Sequence, residues 1–365
     1  MASFRKAYLL KQRIARTMLK KNGVHGVGVG LQDPKRPKRG AAIIVYADPL
    51  TTSASSRKKA KSKRTTALPR YLKPRSGVPF RIVRSPRFCK RGGNGNGSRF
   101  TRRIRPVIAG YSVGTADSSG TAGLVVSTDP KGHSRLILSN NHVLVNNNTR
   151  RFSPTIQPGG ADGGTVLKDR IGQLDRFTKL SRHRPNYLDA ATSRPLRRSL
   201  IKPAYAVFGT VPGHVRSYKV GDRLKKVGRT SGVVTGRVES IHTDVQVDYG
   251  EYGNLGTITF KDQSIIRGKR PVSLEGDSGS VWLTRKGNLA AAVNFAGSEN
   301  GLLSISYPIE WFMQVFGARV AKPASGRLLR PQRGKSGKYM CIRPLPAKLV
   351  KSLRPILASP RTLRR

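Results

Sequence analysis

The chain has 365 residues, with 70 Lys and Arg against 18 Asp and Glu, a formal net charge of +52. Charge of that size excludes an ordinary neutral cytoplasmic enzyme surface and predicts affinity for polyanions such as nucleic acid, anionic lipid or acidic polymer. It does not dictate a fold, but 37% hydrophobic residues suffice for a core, and 39 Gly with 23 Pro favour many short strands and turns over long helices.

The charge is uneven along the chain. Residues 1–110 carry a net +27, residues 111–320 a net +12 and residues 321–365 a net +13. The middle therefore reads as a folded domain of ordinary balance, flanked by basic additions. Four parts follow: a small α/β segment at 1–88, a linker at 89–104, a mainly β domain at 105–320 and a basic, poorly ordered tail at 321–365.

Taken in order, Ala7, Leu10, Ile14 and Met18 recur at helical spacing and predict a helix over 4–21, stopped by Asn22-Gly23. Val27, Val29 and Leu31 alternate with Gly26, Gly28 and Gly30, which predicts a strand; the spacing is GxGxG after a helix, not the GxGxxG of a dinucleotide loop. Residues 41–46 and 78–83 read as two further strands, separated by a basic loop around 56–64. A small α/β domain fits this segment, as does a helix and hairpin laid on the main domain; the basic amphipathic helix also admits a membrane-surface reading. Gly92, Gly93, Asn94, Gly95, Asn96, Gly97 and Ser98 have little to bury and mark the linker. After it, short apolar runs such as 123–126, 136–138, 233–238, 245–247 and 257–260 predict a sandwich or barrel. Residues 311–316 read as a helix ending at Gly317.

Several classes are not supported. No run of eighteen apolar residues predicts a membrane span. The first 24 residues lack an apolar signal-peptide core, which favours the cytoplasm while leaving the compartment open. Cys89 and Cys341 stand in no CxxC context, and a disulfide between them stays open. No HExxH or paired His/Cys spacing occurs, so neither a metal nor a cofactor is expected.

The stretch that carries chemistry is Gly276-Asp277-Ser278-Gly279. A serine between glycines can sit on a tight turn with its hydroxyl presented. The N–H groups of Gly276 and Ser278 could then converge as an oxyanion hole. A serine needs a base. Of six histidines, only His142 directly follows an apolar strand, in Leu136-Ile137-Leu138-Ser139-Asn140-Asn141-His142. The base needs a carboxylate to orient it, and Asp189 lies between apolar neighbours in Tyr187-Leu188-Asp189-Ala190-Ala191, where an unpartnered charge would be costly.

In that order, His, Asp and Ser make the sequence resemble the chymotrypsin-fold serine peptidases. The resemblance implies a double β-barrel with His142 as general base, Asp189 as its orienter and Ser278 as nucleophile. A narrower resemblance, over residues 5–318, is to a bacterial trypsin-like group related to the plant narrow-leaf protease. It rests on Gly26-Val27-Gly28-Val29-Gly30, Gly120-Thr121-Ala122-Gly123, Ile156-Gln157-Pro158-Gly159, Ile171-Gly172-Gln173-Leu174 and Val227-Gly228-Arg229-Thr230-Ser231-Gly232. Asn294, Phe295 and Ala296 stand where the family lines its primary pocket, and Val272 where trypsins place the pocket carboxylate. That implies a small or apolar side chain before the scissile bond. Asp277 needs an anchoring donor, and with no activation site visible, some donor other than a freed N-terminus is expected. The implied function is a serine endopeptidase acting on protein or peptide. The alternatives are a polyanion-binding protein on a protease-like scaffold, and a peptidase whose residues 1–105 form a removable pro-segment.

Overall fold

The computed structural model describes residues 1–48, 77–90, 98–129, 134–322, 328–332 and 339–359. The basic loop at 56–64, residues 92–97 of the linker run and His133 lie outside them. Ser3 caps helix α1 (Phe4–Leu19), its Oγ accepting the Lys6 amide at 3.2 Å. Ala7, Ala15, Met18 and Leu19 form the buried face. They pack on β1 (Val24–Leu31) and β2 (Ala41–Ala47) through Val27, Val29, Ile43 and Val45. Lys11 shares this face and is buried, its ammonium 2.5 Å from Asp244 and 3.1 Å from Asp262. Next, β3 (Phe80–Arg84) runs parallel to β2, and β4 (Phe88–Lys90) follows.

A curled sheet forms the first half of the main domain. It contains β6 (Ser112–Thr115), β7 (Ser118–Thr121), β8 (Leu124–Ser127) and β9 (Leu136–Ser139), preceded by the short β5 (Val107–Ala109). The one-turn helix α2 (Asn141–Leu144) follows β9. The sheet continues with β10 (Pro154–Ile156), β11 (Arg170–Phe177) after helix α3 (Val166–Asp169), and β12 (Ala191–Pro195). Neighbours run β8, β9, β12, β11, β10, β6, β7, while β13 (Ile201–Tyr205) pairs with β5.

The second half is a closed barrel. Its strands are β14 (Arg223–Gly228), β15 (Gly232–Asp248), β16 (Thr257–Arg267), β17 (Val281–Thr284), β18 (Ala290–Ser298) and β19 (Leu303–Pro308). They follow the order β14, β17, β18, β19, β16, β15, and β15 returns to β14 through pairs such as Val227 with Val233. Alternating side chains put Phe260, Phe295, Ile305 and Tyr307 into the core. Helix α4 (Ile309–Phe316) ends at Gly317, whose φ of +59° suits glycine. The fold is thus mainly β, with two curled sheets like a pair of barrels, as the sequence implied.

Strands β1, β2 and β3 extend this second sheet. β1 pairs antiparallel with β15, Val27 opposite Asp244 and Val29 opposite Ile241. Two expectations need correction. Cys89 and Lys90, assigned to the linker, lie on β4, because a groove between β15 and β18 accepts their backbone. In the tail expected to be poorly ordered, Cys341, Ile342 and Leu345 are buried, while 329–332 are exposed and none of 346–359 is buried. Ile342 is buried against Val215 and Tyr218, and its amide donates to the Tyr218 carbonyl at 2.9 Å. β20 (Arg319–Val320), just before the tail, pairs with β8, and after Ile342 come α5 (Ala347–Ser352) and β21 (Ile356–Leu357) on β11. Single apolar residues between Arg and Pro, rather than a periodic pattern, anchor it.

Candidate active site

His142 sits on α2, immediately after β9, and Asp189 just before β12; the two strands are hydrogen-bonded neighbours. That pairing brings His142 Nδ1 to 2.5 Å from Asp189 Oδ2, with both side chains fully buried. A carboxylate accepts, so Nδ1 carries the proton and Nε2 is left as an acceptor. Asp189 is held on all sides. Its Oδ1 accepts the Asn141 amide at 2.6 Å, its carbonyl accepts Asn140 Nδ2 at 2.5 Å, and its Oδ2 accepts the Tyr249 hydroxyl at 2.5 Å. Burial, reinforced by the Asp189 charge, holds the Tyr249 phenol well above its ordinary pKa, so it stays a donor. Tyr252 packs edge-on to the imidazole, ring centroids 6.5 Å apart, and donates to Asn141 Oδ1 at 2.5 Å.

Ser278 lies on the turn that enters β17. Thr121 of the first sheet donates its amide to the Ser278 carbonyl at 2.7 Å and its hydroxyl to the Gly276 carbonyl at 2.8 Å, which ties the two halves together here. Gly276 has φ +90°, and a Cβ there would run into the Arg229 guanidinium, so only glycine fits. Arg229, buried, is paired with Asp162 of the first half. Among the described residues, the N–H groups of Gly276 and Ser278 donate to nothing.

Asp277 is the turn's anchor. Its Oδ1 accepts the amides of Thr230 at 3.0 Å and Ser231 at 2.9 Å; its Oδ2 accepts the Leu274 amide at 2.9 Å. Lys226 Nζ stands 3.4 Å from the same Oδ2, and both side chains are fully buried. Burial pushes the Lys226 ammonium below its ordinary range, while Asp277 opposes that shift. Lys226 supplies the cation beside Asp277.

The structure brings His142 and Asp189 into contact but leaves Ser278 bonded elsewhere. The serine Oγ donates to the Phe295 carbonyl at 3.2 Å. His142 Nε2 is buried and has no hydrogen-bond partner among the described residues. Such serine–histidine contacts often tighten only when substrate is bound. The expected pocket residues Val272, Asn294, Phe295 and Ala296 are all fully buried. Val272 packs in an apolar cluster with Ile266 and Trp282. The Asn294 amide is spent internally: its Nδ2 donates to the Asp277 carbonyl at 3.1 Å, and its Oδ1 accepts Ser273 and Ser304 hydroxyls at 3.1 and 2.6 Å.

Sequence reasoning missed Tyr249 and Lys226, though both carry a signal. Val245, Val247 and Tyr249 share one parity along β15 and its end, and Leu224 and Lys226 share one along β14, so each points where its apolar neighbours point. Among the described residues, no group of three His, Cys, Asp or Glu side chains could hold a metal ion.

No protein-family model matches the chain, and no curated protein matches it. Solved structures do. A glutamic-acid-specific serine protease, described as using a histidine triad in substrate binding, aligns at 20% identity over 59% of this chain and 100% of its own, with a TM-score of 0.42. Thermobifida fusca protease A aligns at 18% identity over 59% and 98%, TM-score 0.42. A Nocardiopsis protease aligns at 17% over 59% and 99%, TM-score 0.43. By its own topology, a closed six-stranded barrel joined to a second curled sheet, the chain resembles a chymotrypsin-like pair of β-barrels.

Proposed function

We propose that the protein is a serine endopeptidase. Ser278 Oγ attacks the carbonyl carbon of an extended peptide while His142 Nε2 takes its proton. The new oxyanion is met by the N–H groups of Gly276 and Ser278. The histidine then gives the proton to the amide nitrogen as the C–N bond breaks, and water, activated by the same base, releases the acyl group. Asp189 fixes the tautomer and offsets the imidazolium charge. The observation that supports this reading most is the buried 2.5 Å contact of His142 with Asp189, which leaves Nε2 unpartnered among the described residues. The resemblance, through Val272 at the position of the pocket carboxylate of trypsins, would suit a small or apolar residue before the scissile bond.

A fluorophosphonate probe tests it. Labelling of the wild-type chain, lost in Ser278→Ala, is the expected result, and a folded wild type that does not label refutes it. A second reading, a polyanion binder on this scaffold, draws on the net +27 and +13 of the two flanks. It predicts duplex DNA binding that weakens steeply with salt, without labelling.

A further inference from the structure

β18 passes directly under the serine, since the Phe295 carbonyl accepts the Ser278 hydroxyl. Along residues 290–293 one edge of β18 pairs with β17, and the opposite edge pairs with β19 as far as Gly297. Beyond Val293 the first edge is where an extended peptide would add as a strand, with main-chain hydrogen bonds supplying the affinity. That edge is occupied. β4 pairs with it antiparallel, Phe88 opposite Ser298, Cys89 opposite Gly297 and Lys90 opposite Ala296. On its other side Cys89 bridges to Asp248 of β15. Both edges of β4 are therefore used, and the groove holds no second strand.

The direction is informative. From Phe88 to Lys90 the chain advances toward Phe295 and Ser278, the direction of a peptide whose attacked carbonyl lies C-terminal to its paired residues. Lys90 Nζ lies 5.8 Å from the Tyr252 ring, the ring that packs edge-on to His142. Ser278 is fully buried, and the His142 side chain likewise.

The anchor of β4 comes from the N-terminal segment. Phe88 is buried, 5.8 Å from the Tyr46 ring and 6.1 Å from His25. Gly26 makes the space: a Cβ there would sit 3.2 Å from Phe88 Cε2 and 3.2 Å from Tyr46 Cδ2. One glycine of the Gly-Val-Gly-Val-Gly strand thus serves to seat Phe88.

We propose that Phe88–Lys90 is a built-in occupant of the peptide-binding edge of β18, and that an extended peptide substrate binds only by displacing it. The proposal rests on the endopeptidase reading for the role of that edge. In apparent affinity, such an occupant lowers binding by the fraction of molecules in which it is displaced.

The test uses the full chain and two variants, each first shown to be folded by its thermal transition. Cys89→Pro removes a strand amide and fixes φ, and Phe88→Ala removes the anchor. Three readouts are compared: labelling by a small fluorophosphonate, turnover of a peptide library, and anisotropy of the fluorescent peptide acetyl-Ser-Pro-Arg-Phe-Ser-Lys-amide. Expected are labelling within about threefold of wild type, with library turnover and peptide affinity raised about tenfold or more, as for an occupant displaced in about one molecule in ten. Unchanged turnover and unchanged peptide affinity in either folded variant overturn the proposal while labelling persists. If no form labels, the hydrolase reading fails by itself, and peptide binding still decides: tighter binding to a variant supports the occupant, and equal binding overturns it. Should both variants fail to fold, hydrogen exchange on the wild-type chain decides. Saturating peptide should speed exchange across residues 86–90 and leave 295–298 protected, and no change at 86–90 overturns the proposal.

Discussion

Replacing Lys226 with Met isolates the device that sets the serine turn. Lys226 and Asp277 are fully buried 3.4 Å apart, and Asp277 also accepts three backbone amides. Removing one partner of such a pair leaves a buried charge uncompensated, which costs about 3–5 kcal/mol. The three amides remain, so the low end, about 3 kcal/mol at pH 7, is expected. Lys226→Met with Asp277→Asn should recover most of the stability. Urea unfolding at pH 7 measures both, and fluorophosphonate labelling reports the turn. A single variant costing under about 1 kcal/mol, with no gain from the double variant, would refute the assignment of Lys226 as the partner of Asp277.

Three other predictions are independent. Tyr249→Phe removes a hydrogen bond to the Asp189 carboxylate and should cost about 1.5–3 kcal/mol in urea unfolding. It should also slow fluorophosphonate labelling, because the carboxylate that orients His142 loses one of its donors; an unchanged rate counts against this. Gly276→Ala forces a Cβ against Arg229 at φ +90° and should cut labelling about a hundredfold or more by moving an oxyanion donor; near-normal labelling would remove Gly276 from that role. His242 is held down to about pKa 4, first by burial and then by Lys11 and Arg343, against the opposing pull of Asp262. The unfolded chain then binds a proton that the fold does not between pH 6.5 and 4, so stability falls by about 3 kcal/mol as pH drops through that window. His242→Asn, compatible with φ +49°, should flatten that part of the pH profile measured by urea unfolding. An unaltered slope would assign the dependence elsewhere.

Legibility in the sequence followed how local each determinant is. The strands around 27–31, 41–46 and 136–138 and the helix over 311–316 were readable because alternation and helical spacing act within one element. The triad candidates were readable from chemistry and order, since Ser278, His142 and Asp189 each carry a local context. What a residue meets across the fold was not. Lys11 looks like any basic residue on an amphipathic helix until Asp244 and Asp262, more than two hundred residues away, arrive beside it. Likewise Phe88-Cys89-Lys90 has no strand pattern of its own, and only the edges of β15 and β18 make it one. Ile342 becomes core because Val215 and Tyr218 leave a place for it.

The pairing of β1 with β15 bears on how this chain could be matured. Cutting away residues 1–48 would bare one long edge of β15 around Ile241 and Asp244, with its amides and carbonyls unsatisfied. It would also open the hollow in which Gly28 now lies against the Thr243 side chain. Unprotected edges of that length recruit other strands, so the trimmed product would tend to associate edge to edge rather than persist as a liberated enzyme. The leading segment thus covers a stretch of β15 edge that the barrel's own strands leave unpaired.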